Sequence, residues 1–508
     1  MSRPRLEAID AAVVVVCAAV FFVAGLPVHG CLTDDTYIHL QYARNLAETG
    51  DLAFNRGEPS YGATSPLWVG LLALLRLAGA DPERWIAALS IIAGASTVAL
   101  TYLLVMRVEG RRPAAAAAAL IIAFEAWMLR WSGTGMETSL AVLTVAWVLY
   151  LALHREMGAG RSLLLGAAMF LAFLARPEAL LLAPLALVSF AVAGRRTPAA
   201  GRFGWLAVLV PLVAAWLLLM KAHTGTALPL TAGAKQGRPE IGLQILRQSF
   251  VVLRIIGVTL LLPALAGGLL VVRRVSGRDR AEPGHASPAG LLLCALWAVS
   301  LPAVYVLLDF HVISRYLLPV APVIAAAGAI SVSRLARKRR PALRTAVLAA
   351  FTAAVAAQNL AVFHSVIVRP TREFSEDLQE VLVGMGRWLA SNSGPDAVVA
   401  ASDIGAVGYV SRRRILDLGG LVHRGINEMR RETDWETIVE EGLYLEYGPD
   451  YMIDRHEEPA RLAGRTIRGA RFVPVMSGEV SNLGIRKPEP VTYVLYRLER
   501  VKGGGVVE

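Results

Sequence analysis

Apolar runs close to the length of a membrane crossing recur along most of this chain, near residues 9–26, 85–106, 113–129, 137–153, 203–220, 250–272, 289–308, 316–333 and 343–363. A helix needs about 20 consecutive apolar residues to cross a bilayer. Between 162 and 193 two shorter runs flank Arg176-Pro177-Glu178 and read as a tight helical hairpin, which brings the expected number of spans to about eleven. The composition agrees, with 55% hydrophobic and 18% charged residues, too apolar for a soluble protein of 508 residues. The expected fold class is a polytopic α-helical membrane protein over residues 1–363, followed by a soluble α/β domain over residues 364–508.

Charge placement orients the spans. The formal net charge of +11 could suggest nucleic acid, but the basic residues sit in short clusters between apolar runs. That is how a membrane protein is oriented, and no nucleic-acid partner is expected. The clusters at Arg3/Arg5, Arg107/Arg111/Arg112, Arg155/Arg161, Arg195/Arg196/Arg202, Arg273/Arg274/Arg278/Arg280 and Arg334–Arg344 fall on one side if the N-terminus is inside. The run from Pro66 to Leu77 is too short to cross, and crossing there would move every later cluster to the wrong side, so it reads as an interfacial helix. Arg3 and Arg5 ahead of an apolar run resemble a signal peptide, but His29-Gly30-Cys31 fits a lipoprotein cleavage site poorly, and an uncleaved first span is expected. Three cysteines, Cys17, Cys31 and Cys294, offer neither a disulfide framework nor a thiolate metal site.

This topology gathers on the outer side the loops 27–84, 129–137, 176–178, 221–249 and 309–316, which hold Asp34, Asp35, Glu137, Arg176, Glu178, Lys235, His311, Arg315 and Tyr316. In the first of them, Tyr37, Ile38, Tyr42, Ala43 and Leu46 recur at helical spacing. This predicts an amphipathic helix from Asp35 to Glu48, capped by Asp34, ended by Gly50 and lying on the membrane surface. After residue 364, helical segments (373–390, 435–446) alternate with β-rich ones (397–401, 414–416, 451–453, 492–496), which predicts the α/β domain, placed outside the cell by the span count. Its Ser402-Asp403-Ile404-Gly405-Ala406-Val407-Gly408 is patterned like a strand-to-helix nucleotide turn but lacks the full glycine fingerprint.

The segments DDTYIHLQYARNL, FNRGEPSYGATSPLW, SGTGMETSL, ARPEALLL, PLTAGAK, SRYLLP and DIGAVGYVSRRRILDLGGLV together resemble the integral-membrane GT-C glycosyltransferases, which use polyprenyl-phosphate sugars. Within that superfamily the chain is most similar to bacterial relatives of the terminal arabinofuranosyltransferases of the mycobacterial envelope. The resemblance implies a polyprenyl-phosphate sugar donor, a glycan or glycolipid acceptor, membrane lipid around the spans, and a place in the bacterial plasma membrane. It also implies that an acidic residue of the first outer loop is the base, which falls on Asp34, with Asp35 as the alternative.

Glycosyl transfer from a lipid phosphate needs a base for the acceptor hydroxyl, cations for the departing phosphate and an amphipathic entry for the lipid. Arg315 with Tyr316 is assigned to the phosphate, supported by Lys235 and Arg176, because a guanidinium presents a fork of donors to phosphate oxygens. Arg176 and Glu178 fit a mutual ion pair as well as they fit substrate. Glu137 fits a helix cap as well as a hydroxyl ligand, and His311 fits interfacial packing. A divalent metal on the carboxylate pair is left open, since two adjacent carboxylates fall short of the six or so oxygen ligands such an ion takes. The alternative to an enzyme is a transporter or flippase of lipid-linked sugars, which would use Arg176 and Glu178 along a pathway and need no base.

Overall fold

A computed structural model describes residues 7–194, 197–230, 242–276, 286–483 and 489–501. In chain order the helices are α1 (Ala8–Gly25), α2 (Asp34–Thr49), α3 (Pro66–Leu77), α4 (Pro82–Glu109), α5 (Arg112–Ala123), α6 (Ala126–Gly133), α7 (Thr138–Ala152), α8 (Ala159–Ala175), α9 (Leu182–Ala193) and α10 (Ala199–Phe203). They continue with α11 (Leu206–Thr224), α12 (Leu243–Val275), α13 (Pro288–Leu307), α14 (Ser314–Leu317), α15 (Ala321–Leu335), α16 (Pro341–Val362), α17 (Arg369–Asn392), α18 (Gly405–Ser411), α19 (Arg424–Glu432) and α20 (Trp435–Glu440). The strands are β1 (Ala53–Asn55), β2 (Glu58–Pro59), β3 (Val398–Ala401), β4 (Arg414–Asp417), β5 (Tyr451–His456), β6 (Thr466–Ile467), β7 (Ala470–Val480) and β8 (Val491–Arg500).

The chain forms two compact units, one of Met1–Gly30, Ile86–Ala215 and Gln236–Val368, the other of Cys31–Trp85, Trp216–Lys235 and Arg369–Glu508. The first is helical. Each expected span coincides with a helix, and among the described residues seven helices are long and apolar enough to cross a membrane, or up to eight if a bent pair counts as one. Three others, over 138–152, 159–175 and 177–193, are shorter, so fewer helices than the expected eleven or so are long enough to cross by themselves. The hairpin expected over 162–193 is also looser than a closed pair: α8 packs on α7 and α9 on α13, with Arg176 extended between them. Trp205, Trp297, Leu182, Leu293 and Leu301 are buried at the core of this unit.

The second unit carries a six-stranded sheet in the order β4-β3-β5-β8-β7-β6. β3 pairs in parallel with β4 and β5, while β5, β8, β7 and β6 pair antiparallel. The parallel connection from β3 to β4 runs through α18, the usual solution for strands that cannot be joined by a tight turn. Leu416, Ile426, Ile438, Tyr444, Phe472 and Tyr496 form its apolar core. Strands over 397–401, 414–416, 451–453 and 492–496 appear as expected. β7 was unmarked in the sequence because Pro474 and a register shift between Pro474 and Met476 break its alternation.

The first polar loop belongs to this second unit, and α2 buries polar side chains as well as its apolar stripe. Tyr37, Leu40, Tyr42 and Ala43 are buried, and so are the polar Gln41, Arg44 and Asn45. Each of these polar side chains is satisfied by main chain: Gln41 Nε2 donates to the Phe54 carbonyl at 2.8 Å, Asn45 Nδ2 to Ala53 at 3.0 Å, and Arg44 Nη1 to Tyr409 at 2.8 Å. Asn55 exchanges two hydrogen bonds of 2.9 Å with the main chain of Ile415 in β4. Buried polar groups with complete partners mark an interior position. α3 is 12 residues long; it buries Trp68, Val69 and Leu72 and turns Leu71, Leu74 and Leu77 outward.

Candidate functional site

Arg130 and Trp131 are placed by a helix that stops and restarts. Glu125 begins α6 by accepting the Met128 N–H at 2.6 Å, and Asn359 Oδ1 accepts the Ala126 N–H at 3.0 Å. Both caps are buried, so the free N–H groups of the new helix are satisfied without water. α5 and α6 therefore meet at a bend of 55° instead of forming the unbroken span expected over 113–129.

Two guanidinium groups lie against the Trp131 ring, Arg130 Cζ at 4.4 Å from its centroid and Arg315 Cζ at 5.2 Å. Trp131 Nε1 donates to Ser314 Oγ at 2.9 Å, which ties the ring to the turn that carries Arg315. Arg315 Cζ is also 5.5 Å from the centroid of Tyr316, and Arg176 Cζ is 4.9 Å from the same ring. Tyr316 stacks on Tyr305 with centroids 5.8 Å apart and planes at 22°. Arg130, Trp131, Arg315, Tyr316 and Arg176 thus form a continuous series in which cations alternate with aromatic rings.

The arginines of this series have different electrostatic surroundings. Arg176 is buried with its charge balanced: Nη2 lies 2.6 Å from Glu137 Oε1 and Nη1 lies 3.0 Å from Glu178 Oε1. Glu178 Oε1 also accepts from Tyr305 Oη at 3.0 Å. Of the two readings open for Arg176 and Glu178, the geometry displays the ion pair, and it adds Glu137 as a second partner. Arg130 is only 5% exposed, its Nε has no hydrogen-bond partner, and no carboxylate pairs with it among the described residues. Sequence reasoning passed over Arg130, because an arginine near the end of an apolar run reads as an ordinary interfacial residue. His311 is exposed, and Lys235 lies outside the described residues.

In the second unit the carboxylate pair opens α2, and Thr33 rather than Asp34 caps that helix, through a capping box with Thr36. Asp34 does something else. Its Oδ2 accepts the N–H of Gly405 at 2.9 Å and its Oδ1 the N–H of Ala406 at 2.8 Å, at the start of α18. The turn patterned like a nucleotide site therefore does receive an anion at its free N–H groups, and the anion is a carboxylate of the chain itself. Gly405 is required by this approach, since a Cβ there would collide with the Asp34 carbonyl oxygen. Burial, and then the neighbouring Asp403, push the Asp34 carboxyl up to about 7 against the opposing pull of the two N–H groups. Asp403 is itself held by Arg455 Nη1 and Tyr493 Oη, each 2.8 Å from Oδ2. Asp35 is half-buried in the same turn. Among the described residues no group of three or more His, Cys, Asp or Glu side chains is placed to hold a metal ion.

The fold resembles those of several solved structures at low sequence identity. ArnT from Cupriavidus metallidurans bound to undecaprenyl phosphate aligns over 95% of this chain and 97% of its own, with a TM-score of 0.57 at 13% identity. The archaeal oligosaccharyltransferase AglB from Archaeoglobus fulgidus, in complex with an inhibitory peptide and a dolichol-phosphate, aligns over 88% of this chain and 69% of its own, with a TM-score of 0.56 at 15% identity. The mycobacterial arabinofuranosyltransferase AftD (mutant R1389S) aligns over 95% of this chain and 41% of its own, with a TM-score of 0.52 at 17% identity. At these identities the likeness is one of fold. Residues 372–496 match a family described as a domain of unknown function (DUF8728). No curated protein matches the sequence.

Proposed function

We propose that this protein is a glycosyltransferase that moves a sugar from a polyprenyl phosphate to a hydroxyl of an envelope glycan or glycolipid, at the outer face of the bacterial plasma membrane. The observation that carries the reading is the arginine–aromatic series of the membrane unit in a GT-C fold. Buried guanidinium groups ordered by aromatic rings suit a lipid phosphate, because they offer charge and a fork of donors beside apolar surface. Arg315 and Tyr316 bind the phosphate. Arg176, neutralised by Glu137 and Glu178, holds Tyr316 in place. The outward Leu71, Leu74 and Leu77 of α3 suit an interfacial helix near lipid.

Asp34 is the base. A carboxylate that titrates near 7 can take a hydroxyl proton at neutral pH, and the two main-chain N–H groups fix its orientation while leaving a lone pair on each oxygen. The hydroxyl attacks the anomeric carbon, the lipid phosphate departs from the opposite face, and the configuration inverts. Purified protein in nanodiscs, incubated with a panel of polyprenyl-phosphate sugars and envelope glycolipids, should release polyprenyl phosphate and form a product of inverted configuration. Turnover of a nucleotide sugar instead, or movement of the lipid-linked sugar across proteoliposomes without bond cleavage, would overturn the reading.

A further inference from the structure

Arg130 is a buried cation whose charge nothing in the described chain balances. A charge left in that state costs a folded protein stability, and such groups persist where a ligand supplies the counter-charge. Its guanidinium shares the Trp131 ring with that of Arg315, so the missing anion would meet both.

We infer that Arg130 is a second arginine of the phosphate site and that it acts chiefly on the leaving group. The inference rests on the glycosyltransferase reading. In the donor the phosphate is a diester with one negative charge. As the bond from the anomeric carbon to the phosphate oxygen breaks, its electron pair stays on that oxygen, while the acceptor oxygen bonds to the carbon and gives its proton to the base. The base loses its negative charge and the phosphate gains one. The product is a monoester whose second ionisation lies near 6, so at neutral pH it is largely a dianion. One arginine suffices for the diester. The second cation is used as the additional charge develops, and an interaction stronger in the transition state than in the bound substrate raises the rate. A merely structural arginine, held by the Trp131 ring, would not distinguish the two phosphates.

The test compares the full-length protein with Arg130→Met in detergent, measuring binding of decaprenyl phosphate, its methyl diester and decaprenol. Charge-assisted hydrogen bonds of ordinary strength predict that the variant binds decaprenyl phosphate about 10- to 100-fold more weakly. The diester should lose much less and decaprenol nothing. The melting temperature of the ligand-free variant should be no lower than that of the wild type, because the unbalanced charge is gone. Should Arg130→Met not fold, Arg130→Gln removes the charge while keeping a polar side chain and carries the same comparison. A variant that binds decaprenyl phosphate as tightly as the wild type overturns the inference while leaving the donor reading intact. A wild type that binds either phosphate no better than decaprenol, or that responds only to phosphatidylglycerol or inorganic phosphate, overturns the donor reading itself.

Discussion

Replacing Asp34 by Asn should change the sign of its effect on stability between acid and neutral pH. The folded carboxyl titrates at about 7, against an ordinary value of 3.8. Below about pH 4 both folded and unfolded chains carry the proton, and the carboxyl contributes no ionisation penalty. Between about pH 4 and 7 the unfolded chain ionises while the folded one resists, so wild-type stability falls as pH rises and levels off above 7. A shift of that size corresponds to on the order of 4 kcal/mol. Asn removes this penalty, but its amide sets a donor against one of the two N–H groups of Gly405 and Ala406, at about 1–3 kcal/mol. The variant should therefore melt below the wild type near pH 4.5 and above it near pH 8. Turnover supplies the second readout. The wild-type rate should climb with pH through about 7 as the base is freed, and Asp34→Asn should lose about 10²- to 10⁴-fold together with that limb. Differential scanning fluorimetry in detergent at both pH values and a pH–rate profile would measure these effects. Absence of the crossing would refute the buried protonation, and an unchanged limb near pH 7 in the variant would assign the base elsewhere, with Asp35 the first candidate.

The remaining expectations follow from single contacts. Gly405→Val should lower the melting temperature clearly, because its Cβ meets the Asp34 carbonyl oxygen, while Gly394→Ala, where nothing lies near, should not. Glu137→Gln should cost about 1.5–3 kcal/mol by weakening a charge-assisted contact of Arg176, which keeps Glu178, and the coupling to Arg176→Met in a double-mutant cycle read by thermal melting should show it. Arg315→Ala should weaken donor binding while the protein still folds, read by the shift in melting temperature that decaprenyl phosphate produces. Cysteines placed at the exposed Glu376 and Glu458 in a cysteine-free background should react with an impermeant thiol reagent in intact protoplasts, and labelling only after lysis would reverse the proposed topology.

The helices of the membrane unit were legible because a bilayer demands a continuous apolar run, and each expected run does carry a helix. The break at Glu125 was not, because a buried acid that caps a helix and an Asn359 more than two hundred residues away act together only once folded. α2 was legible as a helix from its period, and Gly50 ends it with φ of 80° as a left-handed glycine should. Its polar contacts were not legible, because Gln41, Arg44 and Asn45 bond main chain of the same unit that only folding brings to them. The pattern at 402–408 was set aside as a nucleotide turn because its glycine fingerprint is incomplete, yet the free N–H groups of its helix start do take an acceptor. Its anion was invisible, because Asp34 lies some three hundred and seventy residues earlier.

The same distance problem explains why Arg315 was singled out in the sequence and Arg130 was not. Arg315 sits in SRYLLP, a segment with a recognisable resemblance, whereas Arg130 in AWMLRWSG has nothing local to set it apart from an arginine at a helix end. What separates Arg130 from Arg176 is the distribution of carboxylates. Arg176 pairs with Glu137 and Glu178, whereas among the described residues no carboxylate pairs with Arg130. Charge balance within a fold is a property of three-dimensional neighbours and leaves no trace in local composition. On the function proposed it also divides the roles of the cations: Arg176, with its own carboxylates, would hold a ring in place, and Arg130, without them, would meet the charge that a ligand brings.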